Sequence, residues 1–334
     1  SLTLEEITSY SQIDQENLEE FVVIEVPGGA VFGGHSGENG GGGVCVEEGG
    51  EFDMVSGNII GCYSLVTGSG EDPGGGGVVN YGTFTMSGGT IGGAGQGDGN
   101  TATNGGGVCV EGESNAKKGT FTMSGDAIIN GNTSTNNNSS NVYGGGGGVF
   151  VAQYGMFTME NGTIEQNKTT GSANNYHLGG GGVFVSGGTF TMNNGSIKNN
   201  IAGPTDNTYH CGGGVFITDT SSVSGTFNLT NGSIIGNSAK HDGGGVYVTT
   251  INRETFTSHH GEFTMSGGII GGETNADKNT AKNGGGVYVT NFTADKKGTF
   301  NMSGGSITEN KATGTSPTSG GGGVSVGGTF NMFG

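Results

Sequence analysis

Along most of the chain, apolar side chains come in pairs one residue apart, and the pairs return in a fixed order. One pair follows a run of glycines, as in Val246-Tyr247-Val248 after Gly243-Gly244-Gly245. A second is the Phe-x-Met of Thr-Phe-Thr-Met, as at 120–123. A third segment centres on isoleucine (Ile59, Ile91, Ile128, Ile164, Ile197, Ile234, Ile269, Ile307) and often runs on to asparagine. Alternation with period two puts both members of a pair on one face of a β-strand.

The glycine-run strands begin at Val44, Val78, Val108, Val149, Val183, Val215, Val246, Val287 and Val324, at spacings of 34, 30, 41, 34, 32, 31, 41 and 37 residues. A unit constant in pattern and loose in length predicts a coil with fixed strands and variable loops. One unit has apolar faces too narrow to fold alone, so stacking must bury them. The expected fold is all-β: a right-handed parallel β-helix, a solenoid of three short strands per coil and about nine coils. Its hand follows the crossover rule, and its rise is about 4.8 Å per coil. Phe52, Phe84, Phe121, Phe157, Phe190, Phe227, Phe263, Phe300 and Phe330 should form one buried column. Beside it, Met54, Met86, Met123, Met159, Met192, Leu229, Met265, Met302 and Met332 should form another, which takes eight of the nine methionines. The glycine runs would turn corners where backbones approach too closely for a Cβ.

Residues 1–27 lack the repeat and read as an N-terminal cap ending in a starting strand at Phe21–Val26; residues 28–334 form the repeat domain. The chain stops inside a repeat, which reads as a segment of a longer protein. The insertions at 124–143 and 249–261 are expected to be surface loops. Ten Asn-x-Ser/Thr triplets occur, among them those at Asn132, Asn161, Asn194 and Asn301, a number that an Asn-, Ser- and Thr-rich composition generates by itself.

Composition narrows the role. Glycine contributes 78 residues without a Gly-X-Y period, which excludes collagen. A formal net charge of −18 disfavours nucleic acid and anionic membrane as partners. No apolar run is long enough for a transmembrane span, and 1–27 does not have the form of a signal peptide. Cys45, Cys62, Cys109 and Cys211 read as free thiols. Cys45 and Cys109 share a series but lie two coils apart, about 9.6 Å, too far for a disulfide.

The run Gly-Gly-Gly-Val followed by Ile-x-x-Asn-x-Ala (234–239 and 307–312) resembles the repeats of polymorphic outer membrane proteins. The wider group is the bacterial β-helical surface adhesins and autotransporter passengers. The resemblance covers nearly all of 28–334. The chain departs from it by carrying Val where that family often has Ile after the glycines, and Ile where it has Phe in the second motif. No barrel or wall-anchor motif is present. The resemblance implies an extracellular surface protein that binds a protein or glycan ligand at a cell surface.

Three sets of residues are candidates for chemistry or binding. His177, His210, Cys211, His241 and Asp242 precede the glycine runs of three successive units; with the coils in register they would form a row able to hold a divalent metal, or a plain surface row. Phe150, Phe184, Phe216, Tyr247 and Tyr288 are the outward residues of Val-x-Val. They form a stripe that either contacts a partner or a sugar ring, or is covered by another part of the chain. Thr83, Thr85, Thr120, Thr122, Thr189 and Thr191 form outward Thr-x-Thr rows, like the ice-binding faces of some solenoids or simply good β-formers. Carboxylates stand singly, with Asp53 and Glu262 isolated, so the paired acids of a polysaccharide-cleaving β-helix are not evident. The sequence therefore points to a non-enzymatic extracellular scaffold or adhesin module. The alternatives are a filament or sheath subunit self-associating end to end or side by side, a polysaccharide-acting enzyme, and an ice-binding protein.

Overall fold

A computed structural model describes residues 29–36, 40–64, 74–135, 143–171, 177–203, 209–250, 259–291, 297–315 and 320–334. Among these residues the chain is all-β, without a helix. The cap and starting strand expected over 1–27 lie outside the described residues.

Parallel strands stack into a β-solenoid. Among the described residues each of four sheets holds nine strands, so a coil has four strands, not three. In one coil these are Ser196–Lys198 (sheet I), Ile201–Ala202 (sheet II), Val215–Thr218 (sheet III) and Thr226–Leu229 (sheet IV). Sheet II escapes sequence reading because its strands are two residues long, with a single inward side chain. That side chain is small: Ser64, Ala102, Ser134, Thr169, Ala202, Ala239 or Ala281, all buried.

Register is strict. Phe190 pairs with Phe157 on one side and Phe227 on the other. The phenylalanine rings lie flat on one another from Phe52 to Phe330, with centroids 4.5–5.0 Å apart and planes within 13°. Offset stacking of this kind adds about 0.5–1.5 kcal/mol per pair beyond area burial. The methionine column lies beside it, buried from Met54 to Met265. Two isoleucine assignments need correction. Ile129 and Ile270 face the core, while Ile128 and Ile269 face outward; Ile269 is 45% exposed. Part of the supposed loop at 124–143 is also regular, with strands at Ile128–Asn130 and Thr133–Ser134.

One glycine run shows why three are needed. Gly212 has φ +63°, and a Cβ there would meet the Val215 carbonyl at 2.5 Å. A Cβ on Gly213 would lie 2.5 Å from the next coil's Gly244 carbonyl and from the Ser238 backbone. On Gly214 it would strike Ile234 and the Asn237 carboxamide at 3.0–3.1 Å. The run is a tight turn followed by backbone laid directly against backbone.

Among the described residues three coils carry an extra strand before the glycine run: Tyr143–Gly145, His177–Gly179 and Tyr209–Cys211. These form a small parallel sheet, called here the strap. It lies on the outer face of sheet III: a Cβ on Gly179 would meet the Phe216 ring at 2.8 Å.

Candidate functional surfaces

The strap changes the meaning of the aromatic stripe. Phe150, Phe184, Phe216 and Tyr247 are buried, and Tyr288 is half-buried. With Val79, Cys109, Ala152 and Cys211 they form a second apolar cluster outside the solenoid's main core. Of the two readings left open for the stripe, a contact surface or a covered row, the covered one is what the structure forms. The sequence signal was Cys211 directly before its run and the extra glycine Gly179 opening the longer run, which pair with each other and lie on the underside of the cover.

The histidine row does not form as expected. His177 pairs with Tyr209, and His210 with Leu178, so the first two histidines are one residue out of register. The cause is run length: four glycines precede Val183 but three precede Val215 and Val246, and the fold aligns on the valine. The side chains of His177 and His210 lie outside the described set. Cys211 is fully buried, accepts company from the Tyr247 hydroxyl, and has its thiol pKa pushed well up by burial. Asp242 accepts a 2.8 Å hydrogen bond from Asn283 Nδ2, and burial raises its pKa. Burial, then the charges of Lys282 and Lys240, lower that of His241. Among the described residues no three His, Cys, Asp or Glu side chains group as a metal site.

The Thr-x-Thr residues occupy the outer face of sheet IV. Thr83, Thr120 and Thr189 lie in one column and Thr85, Thr122 and Thr191 in the other. Thr158 and Thr264 extend the second column, a continuation that pairwise motif reading missed. Thr120 donates to Thr83 across 3.5 Å. Glu51 begins the first column and Asp53 the second, and Met156 and Glu262 interrupt the first. Glu262 accepts a bond from Asn301, 3.0 Å away.

The asparagine that follows seven of the isoleucine strands is the polar feature the sequence showed but did not explain. Asn100, Asn132, Asn167, Asn200, Asn237, Asn279 and Asn310 form a ladder at the corner between sheets I and II. Asn200 Nδ2 donates to Asn237 Oδ1 and to the Ile164 carbonyl, both at 3.0 Å. Its Oδ1 accepts from the Nδ2 and the backbone N–H of Asn167. Every polar group of the carboxamide is used, as burial requires. Cys62 holds the same position in its coil and donates its backbone N–H to Asn100 Oδ1; burial raises its thiol pKa to about 11.

A hollow of about 260 Å³ lies beside Cys45, lined by Glu47, Glu48, Tyr81, Glu113 and Lys117. Lys117 pairs with Glu48 at 3.0 Å and Glu113 at 2.9 Å. Burial and the nearby Glu47 outweigh a backbone hydrogen bond at Cys45 and raise its pKa, which disfavours the nucleophilic thiolate. None of the four cysteines is joined in a disulfide.

Comparison with models of known families, with curated proteins and with solved structures gave no match for this chain.

Proposed function

We propose that this chain is a non-enzymatic structural and binding module, a rigid β-solenoid that holds polar faces and loops at fixed spacing for a protein or glycan ligand at a cell surface. The observation that carries the reading is continuity. The phenylalanine stack runs from Phe52 to Phe330 and the asparagine ladder from Asn100 to Asn310, both without a break. Residues committed to pairing with their own copies one coil away make a rod, about 40 Å long for nine strands. Once the aromatic stripe is covered, the surfaces left for a ligand are the polar outer faces of sheets I, II and IV and the inter-strand loops. The repeat's resemblance to surface adhesins favours extracellular display.

The test is to immobilise the folded chain and screen it against cultured cells, matrix proteins and a glycan panel, with a polysaccharide degradation assay alongside. Saturable binding without turnover is expected. Catalytic release of oligosaccharides would replace the reading with an enzymatic one, and failure to retain any cell, matrix protein or glycan would remove the adhesive part.

A further inference from the structure

The corner between sheets IV and I is built on a glycine of positive φ: Gly57, Gly89, Gly162, Gly195, Gly232, Gly268 and Gly305, at +80° to +110°. The residue before that glycine is free to vary, being Ser56, Gly88, Gly267 or Gly304 in four coils. In three consecutive coils it is asparagine, with a hydroxyl residue just after the glycine: Asn161-Gly162-Thr163, Asn194-Gly195-Ser196 and Asn231-Gly232-Ser233. Strand register places Thr163, Ser196 and Ser233 in one column. All three asparagines are exposed. Asn161 is partly tied, donating to the Gly125 carbonyl at 3.0 Å. The corner itself therefore does not demand asparagine.

Folding separates these triplets from others of identical type. Asn132-Thr133-Ser134 and Asn167-Lys168-Thr169 also match Asn-x-Ser/Thr, but Asn132 and Asn167 are wholly buried rungs of the ladder. Asn301 has its carboxamide bonded to Glu262 and Asn331. An acceptor for N-linked sugar must offer its Nδ2 at the surface with the hydroxyl two residues on. We infer that the Asn161, Asn194 and Asn231 corners form a row of N-glycosyl acceptor sites on the folded solenoid. The carboxamide nitrogen would bond to the anomeric carbon of a nucleotide-activated sugar. The nucleoside diphosphate would leave, and Nδ2 would lose one proton. Neighbouring acceptors stand about 4.8 Å apart, closer than two sugars can sit side by side, so occupancy of adjacent corners should be mutually exclusive.

The folded chain should be treated with a soluble asparagine glucosyltransferase and UDP-glucose and mapped by peptide mass spectrometry, with heat-denatured chain in parallel. Sugar is expected on Asn194, Asn231 and, more weakly, Asn161 of the folded chain, with no single molecule carrying it on adjacent corners. Asn132 and Asn167 should gain sugar only after denaturation. Asn161→Gln with Asn231→Gln should raise occupancy at Asn194. Unmodified corners in the folded chain, or modification of folded Asn132 or Asn167, would overturn the inference; neighbouring corners modified together would overturn the exclusion.

Discussion

Two aromatic columns run along this molecule, one inside the solenoid and one outside it, and they are held by different forces. The inner phenylalanines lie parallel within 13° at every step. The outer row varies: 18° between Phe150 and Phe184, 51° between Phe184 and Phe216, 81° between Phe216 and Tyr247, and 4° between Tyr247 and Tyr288. Both columns inherit the same strand spacing. The inner rings are hemmed in by identical neighbours above and below, whereas the outer rings adapt to whatever the strap places over them. Repetition specifies geometry only where the whole surrounding repeats.

The largest effects should come from the inner column. Phe190→Ala opens a cavity between two stacked rings and should cost about 4 kcal/mol in chemical denaturation, whereas Phe216→Ala should cost about 2, because the strap can settle into the space. If the outer substitution proved as costly as the inner, the distinction would collapse. Hydrogen exchange should sharpen it: Phe216→Ala should speed exchange in 177–179 and 209–211 without touching sheet IV.

Next comes the ladder. Asn200→Ala leaves Asn167 and Asn237 each short of a buried partner, which should cost about 3 kcal/mol. A melting temperature within a degree of the parent would mean water replaces the carboxamide.

Smaller effects lie under and beside the cover. Asp242 sits where the neighbouring coil has Asn283, and burial raises its pKa above the unfolded value. The folded state therefore holds the proton more tightly. The ionised carboxylate weakens the fold above the folded pKa, and the penalty fades as pH falls through it. Asp242→Asn should stabilise the chain at neutral pH and lose that advantage in mild acid, as read from melting temperature against pH. An advantage that grew in acid would reverse the sign. Smallest is Gln166→Gly. Gln166 has φ +55° at a corner where other coils use Gly131 and Gly236, so the change should gain up to about 1 kcal/mol. A loss would show that the Gln166 side chain does more than tolerate the turn.

The repeating interior was legible in the sequence because each core strand carries two inward residues at period two, enough to reveal a face. Phe52 to Phe330 and Met54 to Met332 follow from that alone. Sheet II was not legible, because one small inward residue (Ala, Ser or Thr) per strand has no period. The strap was missed for another reason: its cover of Phe184 and Phe216 depends on glycines doubling the chain back, which pattern reading sees only as a corner. His177 was misplaced because counting from the first glycine is ambiguous when run length varies. Asn132, taken from the sequence as part of a loop, is a core residue because the ladder binds it.

The central claim is that successive units stack in register at one rise per coil. Nitroxide labels on Thr85→Cys and Thr264→Cys, five strands apart in one column of sheet IV, test it by pulsed dipolar spectroscopy in a background where the native cysteines are replaced. The account predicts a narrow distribution near 24 Å, five steps of about 4.8 Å. A broad distribution, or one centred well beyond that distance, would contradict it.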